Sequence, residues 1–315
     1  MEFIGPIGRR LDAALPVTMR DVADPRSRGV GAAPVGLVLG GVGSVQFGAA
    51  IAKTLFADLG PAGTVLLRLA VAAGLLVAFW RPKVRELERG ELGMIVLFGL
   101  ALGGMNACFY AALDRIPLGI AVTFEFAGPL GVAVAGSRRA LDAAWVVMAA
   151  AGIVLLSGGG GDLDPLGVAL ALFAGGFWAA YILLSARVGQ AFAGGAGLAL
   201  AMVVGAVALT PLGVADGGAA LLEPRLLALG AAVAVLSSVI PYSLELEALR
   251  RMPARVFGVL MSLEPGVAAL AGWLLLSEAL ATWEVAAIGL VVAASAGAAI
   301  SARDAPRLDP EAVAG

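Results

Sequence analysis

Apolar runs separated by short polar breaks cover most of the chain. A helix needs about 20 apolar residues to cross the hydrocarbon core of a bilayer, and the runs have about this length. We therefore predict a membrane-spanning helix in each of the ranges 34–56, 61–80, 92–112, 117–136, 141–158, 165–185, 196–215, 226–249, 254–276 and 282–301. Residues 1–33 contain five arginines, three prolines and no sustained apolar run. This composition predicts a disordered cytoplasmic tail rather than a signal peptide, and residues 302–315 predict a second cytoplasmic tail.

One stretch of the pattern occurs twice, at a spacing of 136 residues. The matching residues are Ala112, Leu113, Arg115, Pro117, Pro129, Ala133 and Gly136 in the first copy, and Ala248, Leu249, Arg251, Pro253, Pro265, Ala269 and Gly272 in the second. We interpret the chain as a duplicated half, with one five-helix repeat at 34–158 and another at 165–301. Because five is odd, the second repeat enters the membrane in the opposite sense to the first. The predicted fold is an all-α integral membrane protein with ten transmembrane helices, arranged as two inverted five-helix repeats.

Lysine and arginine are distributed unevenly between the predicted loops on the two sides of the membrane. With the N-terminus inside, the cytoplasmic segments hold seventeen of these residues and the outer loops hold two, Arg115 and Arg225. Cytoplasmic loops of membrane proteins carry such an excess of positive charge. Together with the even number of spans, the bias predicts that both termini lie in the cytoplasm.

A lone carboxylate, Glu125, lies within the fourth apolar run. A charge at this depth costs about 2.5–3.5 kcal/mol on insertion scales, so intramembrane charges usually serve a function. Pro129 removes the hydrogen bond to the carbonyl of Glu125, and broken helices of this kind form ligand sites in transporters. In the second half Glu264 precedes Pro265, which frees the carbonyl of Met261 at the equivalent repeat position. The alternative is a paired structural glutamate beside an ordinary membrane kink.

Two basic residues, Lys53 and Arg68, also lie within predicted spans. Counted from the outer side, Arg68 lies eight residues into the second span and Glu125 nine residues into the fourth. This similar depth predicts an Arg68–Glu125 pair, because a buried guanidinium and a buried carboxylate each need a partner. Lys53 is closer to the outer end of its span, where its long side chain either reaches the interface or contributes to the site.

Further polar and aromatic residues share helical faces and complete the candidate site. They are Gln46 with Lys53 on the first span, Asn106 with Tyr110 on the third, Trp178 with Tyr181 on the sixth, and Tyr242 on the eighth. Ser237 and Ser238 also flank Pro241 on the eighth span, where the proline frees the carbonyl of Ser237. For each aromatic side chain, packing against lipid or a neighbouring helix is the competing interpretation. Glu245 and Glu247 lie near the cytoplasmic end of the eighth span, beside two arginines. We interpret both as solvated or ion-paired rather than functional.

Composition then restricts the functional class. With 60% hydrophobic and 14% charged residues and a mean hydropathy of +0.96, the chain is a membrane protein rather than a soluble domain. The absence of histidine and the single cysteine, Cys108, exclude Ser-His and Cys-His catalysis, most zinc sites and disulfides. No basic cluster is interleaved with aromatic residues as a nucleic-acid groove requires. We therefore predict no enzyme, cofactor, metal or nucleic-acid partner, and interpret the glycines at 158–161 as a turn.

Specific runs in both halves match a known family. They are SVQFGA at 44–49, AKTLF at 52–56, LRLA at 67–70, GGMN at 103–106, FY at 109–110, PLGIAV at 117–122, EF at 125–126, GPL at 128–130, SRR at 137–139, PYSLE at 241–245, FG at 257–258 and MSLEP at 261–265. Through these runs the chain resembles the drug/metabolite transporter superfamily with two EamA-type halves. Within it, the chain is most similar to the threonine/homoserine exporter family of bacterial inner-membrane proteins. The resemblance covers 34–301; the N-terminal tail and the glycine-rich loop depart from it.

This resemblance implies proton-coupled efflux of small amino acids such as threonine or homoserine. In this interpretation a secondary transporter works by alternating access around a site near the membrane midplane. Glu125 and Glu264 would bind the substrate ammonium, and Arg68 or Lys53 its carboxylate. Because the chain lacks histidine, proton coupling would use carboxylates.

Two other interpretations stay open at the level of sequence. In a broader exporter of drugs or metabolites, an aromatic cage of Trp178, Tyr181 and Tyr110 would matter more than the charges. A membrane scaffold without transport activity is less favoured, because it has little reason to retain buried charges and paired proline breaks. The expected partners are a small-molecule substrate, the lipid bilayer and protons, and formation of a homodimer is left open.

Overall fold

A computed structural model of the protein describes residues 32–82, 87–135, 140–158, 163–192, 195–252 and 254–301. Nearly all of both predicted tails and the glycine-rich turn lie outside these ranges, within which the secondary structure is helical, without strands. The helices are α1 (Ala32–Lys53), α2 (Phe56–Trp80), α3 (Arg89–Leu113), α4 (Leu118–Glu125), α5 (Ala127–Val134), α6 (Ala140–Gly158), α7 (Pro165–Ala191), α8 (Ala196–Gly217), α9 (Pro224–Ala234), α10 (Ile240–Arg251), α11 (Ala254–Met261), α12 (Glu264–Leu276) and α13 (Thr282–Ser301). A 3₁₀ segment (Gly218–Leu222) follows α8, and a π-helical segment (Val235–Val239) joins α9 to α10.

The described helices have the length and surface of membrane spans. Seven helical segments are long and apolar enough to cross a bilayer, and three shorter apolar segments, Leu118–Val132, Ala140–Leu156 and Pro224–Val239, fall in the remaining predicted spans. Large apolar side chains face outward, among them Phe79 and Leu222, which are 76% and 78% exposed. So much exposed apolar surface requires lipid rather than water around it. The chain is a multi-pass, all-helical membrane protein.

Two helices are interrupted at matching positions of the two predicted repeats, the halves 34–158 and 165–301. In the first half α4 ends at Glu125 and α5 begins at Ala127, two residues before Pro129. In the second half α11 ends at Met261, which is 136 residues after Glu125, and α12 begins at Glu264. Each interruption precedes a proline, whose missing N–H leaves the fourth residue before it without a helical donor. The two breaks provide free backbone groups at the same level of both halves.

The two halves interlock through reciprocal contacts. Helix α2 packs on α8 and α6 on α13, each on the corresponding helix of the other half. Helix α3 packs on α7 as α10 packs on α1, and α8 packs on α3 as α2 packs on α9. One pair breaks this symmetry. Helix α4 packs on α12, whereas among the described residues α5 and α11 make no comparable contact.

Glycine allows close approach where the halves meet. A Cβ at Gly128 would overlap the carbonyl oxygen of Gly175 on α7, so the backbones of α5 and α7 touch there.

Gly60, with φ of 65°, bends α2 just before Pro61 and faces Asp216 at the end of α8. The Asp216 carboxylate accepts a hydrogen bond from Ala62 N (3.0 Å), which caps the part of α2 that follows the bend. Helix α1 ends at Lys53 rather than at 56, because a turn at Thr54 and Leu55 separates it from Phe56, the first residue of α2.

Candidate functional site

A cavity of about 250 Å³ lies between helices of both halves. It is lined by Val45, Gln46, Ala49, Arg68, Met105, Asn106, Phe109, Val122, Glu125, Trp178, Tyr181, Ser237, Pro241, Glu245, Met261 and Glu264. Seven of the ten predicted site side chains are in this lining: Gln46, Arg68, Asn106, Glu125, Trp178, Tyr181 and Glu264. Pockets for drug-sized ligands usually measure about 300–1,000 Å³. The cavity is smaller, and its size suits a small metabolite.

On one side of the cavity, α3 holds the guanidinium of Arg68. Arg68 Nη1 donates hydrogen bonds to Asn106 Oδ1 (2.9 Å) and to the hydroxyl of Tyr110 (3.1 Å). The guanidinium carbon lies 5.6 Å from the centre of the Tyr110 ring. Asn106 Nδ2 donates to Leu102 O (2.8 Å), which turns Asn106 Oδ1 toward the arginine. Arg68 Nε has no hydrogen-bond partner among the described groups, so a fixed cation with a free donor faces the cavity.

Gln46 of the first half, and Ser237 and Glu264 of the second, bring hydrogen-bond acceptors to the cavity. Gln46 Nε2 donates to Glu264 Oε1 (3.3 Å) across the boundary between the halves. Gln46 and Glu264 are only 3% and 5% exposed, and within the described structure neither Gln46 Oε1 nor Glu264 Oε2 has a hydrogen-bond partner. The hydroxyl of Ser237, in the π-helical segment, is also buried and without a partner there. Buried acceptors without donors are costly, and a ligand that brings donors would satisfy them.

Glu125 faces the same cavity but does not pair with Arg68 as the sequence predicted. Glu125 is the last residue of α4 and is 7% exposed. The hydrogen bonds of Arg68 go to Asn106 and Tyr110, and no ion pair within 4.0 Å joins Arg68 to Glu125 in the described chain. The prediction of a direct pair is therefore wrong. Similar depth along two helices brought both side chains to one cavity, but the side-chain partners of Arg68 lie on the adjacent α3.

Lys53 lies outside the cavity lining and bonds elsewhere. Lys53 Nζ contacts Glu278 Oε1 at 2.7 Å and Ile116 O at 3.2 Å, and Glu278 Oε2 accepts from Leu118 N (2.8 Å). The two charged side chains are 21% and 14% exposed. Lys53 therefore joins α1, the start of α4 and the loop after α12. Its predicted alternative role in the site is not supported by this position.

A second ion pair links loops outside the membrane-spanning segments. Arg115 Nη1 contacts Asp164 Oδ2 at 2.9 Å, and Asp164 Oδ1 accepts from the backbone N–H groups of Leu166 (2.8 Å) and Gly167 (3.4 Å) at the start of α7. The hydrogen bond from Arg115, followed by the one from Leu166, holds the pKa of Asp164 below its usual value. The carboxylate thus serves as both helix cap and ion-pair partner.

The predicted aromatic residues divide between the cavity wall and the supporting layer. Trp178 and Tyr181 line the cavity, Trp178 edge-on to Phe126 and Tyr181 stacked on Phe98. Tyr110 is fully buried behind Arg68 rather than in the lining. The side chain of Tyr242 lies outside the described set. Of the three predicted helix breaks, Pro241 lines the cavity, while Pro129 and Pro265 follow the interruptions without lining it.

Glu245, interpreted from the sequence as solvated or ion-paired rather than functional, is half-buried at the cavity. Glu245 lines the cavity, whereas Glu247 pairs with Arg251 four residues later, with Arg251 Nε 2.7 Å from Glu247 Oε1. The sequence contained a signal for this arrangement. Ser237, Pro241 and Glu245 are spaced four residues apart, so they share a helical face, and all three line the cavity.

These features define a class: a helical membrane protein with a charged, ligand-sized cavity between its two halves. The model of the EamA-like transporter family matches residues 165–300, which is the second half. The chain is also 42% identical over 278 residues to the threonine/homoserine exporter RhtA of Salmonella typhimurium strain SL1344, covering 87% of this chain and 94% of that protein. The chain therefore belongs to the EamA-like transporter family, as its sequence motifs predicted.

Further comparisons agree. The threonine/homoserine exporter RhtA of Escherichia coli K12 is 42% identical over 273 residues, covering 86% of this chain and 92% of that protein. A crystal structure with 18% identity matches with a TM-score of 0.57 over 85% of this chain and 97% of that chain. At this level of identity the match shows the fold alone.

Proposed function

We propose that the protein exports small hydroxylated amino acids, namely threonine and homoserine, across a bacterial inner membrane by proton-coupled alternating access. The observation that carries this proposal is a single small cavity with a fixed guanidinium on one side and buried carboxylates on the other. The proposal is supported by relatives named threonine/homoserine exporter at 42% identity over most of the chain.

A zwitterionic amino acid complements this distribution of charge. Its carboxylate accepts from Arg68, whose Nε is free and whose orientation is fixed by Asn106 and Tyr110. Its ammonium donates to Glu125 and to the free Oε2 of Glu264. Each contact pairs opposite charges in a site that excludes most water, where charge-assisted hydrogen bonds are strong. The substrate therefore satisfies groups that are costly to leave buried alone.

The ten-span inverted repeat is part of the proposal. It is supported by the reciprocal contacts between the halves, the matching breaks after Glu125 and Met261, and the seventeen-to-two bias of basic residues. In this topology the contact of α4 with α12 and the Lys53–Glu278 pair close the outer end. The separated α5 and α11 leave the cytoplasmic end open, next to Glu245. In the outward-facing state the cytoplasmic end is closed and the outer end is open. Both halves of the cavity come from one chain, so a homodimer is not needed to complete it.

Proton coupling follows from the charge balance of the cavity. Among the described residues that line it there are three carboxylates, Glu125, Glu245 and Glu264, and one cation, Arg68. A buried carboxylate without a counter-ion is costly in a membrane interior. When the substrate ammonium leaves, a proton can take its place, so substrate and proton occupy the carboxylates in turn. This exchange makes the protein an antiporter.

Transport by purified protein in liposomes tests the proposal. Efflux of radiolabelled threonine and homoserine should occur in counterflow and should accelerate when protons are supplied at the opposite face. Protein-free liposomes and the Arg68→Met variant serve as controls. If the wild-type protein moves neither amino acid, the proposal fails.

One observation favours a second candidate, a broader exporter of aromatic or cationic compounds. Trp178 and Tyr181 line the cavity and present apolar rings to it. Transport of such compounds without threonine or homoserine would favour this function. The small volume and the three carboxylates support the first candidate instead.

A further inference from the structure

Two neutral polar groups on residues that line the cavity are not assigned to the charged ends of the amino acid in the proposed function. They are the side-chain carbonyl of Gln46 on α1 and the hydroxyl of Ser237 in the π-helical segment. Both residues are at least 95% buried and line the cavity, and both oxygens lack a hydrogen-bond partner in the described structure. Such groups are unusual in a protein interior, where nearly all buried polar atoms are paired.

The orientation of Gln46 is fixed by its neighbour. Glu264 is a carboxylate and accepts hydrogen bonds, so the amide NH₂ group of Gln46 must be the end that faces it, at 3.3 Å. The Gln46 carbonyl oxygen consequently points away from Glu264. This oxygen can accept a hydrogen bond, and no described protein group donates one to it.

Ser237 differs from several other hydroxyl residues in the helices. Thr64, Thr123, Thr210 and Ser262 each donate to the carbonyl four residues earlier, which satisfies the hydroxyl within its own helix. The hydroxyl of Ser237 makes no such bond. It points instead toward α1 at Gly48, where a Cβ would overlap it. Ser237 belongs to the π-helical segment, a geometry that often marks functional sites, and its hydroxyl is buried without a partner in the described structure.

We infer that Gln46 and Ser237 form a hydroxyl-recognition subsite that selects amino acids with a side-chain hydroxyl. The inference rests on the proposed function and specifies its substrate class. The substrate hydroxyl donates to Gln46 Oε1 and accepts from the hydroxyl of Ser237, so every partner is satisfied. A substrate with a methyl group in place of the hydroxyl leaves both protein groups buried and unpaired, and sites of this kind reject such analogues strongly.

Isosteric pairs of amino acids test the subsite. Valine has a methyl group where threonine has its hydroxyl, and norvaline corresponds to homoserine in the same way. The transport efficiency of each amino acid is measured in liposomes with wild-type protein, Ser237→Ala and Gln46→Met. The wild-type protein should prefer the hydroxylated member of each pair at least tenfold. Ser237→Ala should lower that ratio about three- to tenfold, as expected for one neutral hydrogen bond.

Ser238→Ala is the matched control. Ser238 is the next residue, is equally buried and also lacks a partner for its hydroxyl among described groups, but it does not line the cavity. This variant should keep the wild-type ratio. Thermal unfolding in detergent confirms that each variant is folded. An unchanged ratio in both Ser237→Ala and Gln46→Met, or an equal fall in Ser238→Ala, overturns the inference while leaving the exporter function standing. If no wild-type transport of threonine or homoserine occurs, the proposed function itself fails and the subsite with it.

Discussion

Glu125→Gln isolates the charge at the centre of the proposed site. The substitution keeps the size of the side chain and its ability to hydrogen-bond, so the 7% exposed position stays filled. Glu125 makes no ion pair in the described chain, so neutralising it leaves no opposite charge stranded and should not lower the melting temperature. The effect on transport should be large. A charge-assisted hydrogen bond contributes about 1.5–3 kcal/mol, which corresponds to about a 10–150-fold loss of transport efficiency for threonine.

The assay compares initial rates of threonine counterflow in liposomes at equal amounts of reconstituted protein. Glu247→Gln is the control, because Glu247 pairs with Arg251 away from the cavity. This control should transport at the wild-type rate. A Glu125→Gln protein that is folded and transports threonine as well as the wild type would refute the assignment of Glu125 to the ammonium. Glu264 alone would then be the first candidate.

Four further substitutions test other parts of the structure. Glu245→Gln should retain threonine counterflow but lose acceleration by a pH gradient; equal acceleration in variant and wild type would exclude Glu245 from proton coupling. Lys53→Met should lower the free energy of unfolding by about 1–3 kcal/mol because it leaves its carboxylate partner half-buried without a counter-ion, as measured by thermal unfolding, and an unchanged melting temperature would contradict this role. Gly128→Ala should destabilise the protein severely because its Cβ has no space, whereas Gly131→Ala, which meets nothing within 4 Å, should be tolerated. Asp164→Asn should lower the melting temperature slightly at pH 7. Since the pKa of Asp164 is lowered in the folded state, the difference should be complete above about pH 4 and be lost as the pH falls through the lowered pKa of the folded state; a difference that does not decrease at all on acidification would contradict the ion pair.

The sequence was sufficient to predict the helical membrane fold and about half of the residues that line the cavity, but not their partners. Gln46, Asn106 and Glu264 were recognisable because polar residues within long apolar runs are rare and costly. Contacts between helices depend on rotation and tilt, which hydropathy does not contain. For this reason the depth of Arg68 along its span correctly predicted that it reaches the cavity. Its hydrogen bonds to Asn106 and Tyr110 on α3 were not predicted.

The two misassigned charges have separate causes. Lys53 was expected at the interface or in the site because only its position along α1 was known; its partner Glu278 is 225 residues away in sequence. Glu245 was grouped with Glu247 and the arginines that follow, although the two glutamates point to different faces of α10. Helical spacing from Pro241 would have separated them, since a step of four residues keeps a face and a step of six does not.

The backbone contact between Gly128 and Gly175 has an evolutionary consequence. In the repeat register, position 128 corresponds to Glu264 and position 125 to Met261. With no space for a side chain at 128, the first half carries its acid one helical turn earlier, about 4.5 Å along the axis. Two identical halves, encoded by a single ancestral gene and associated as separate subunits, would have had the same residue at both positions. If the predicted repeat reflects duplication and fusion of one gene, the different acid positions of the two halves arose after the fusion, when each half could mutate independently.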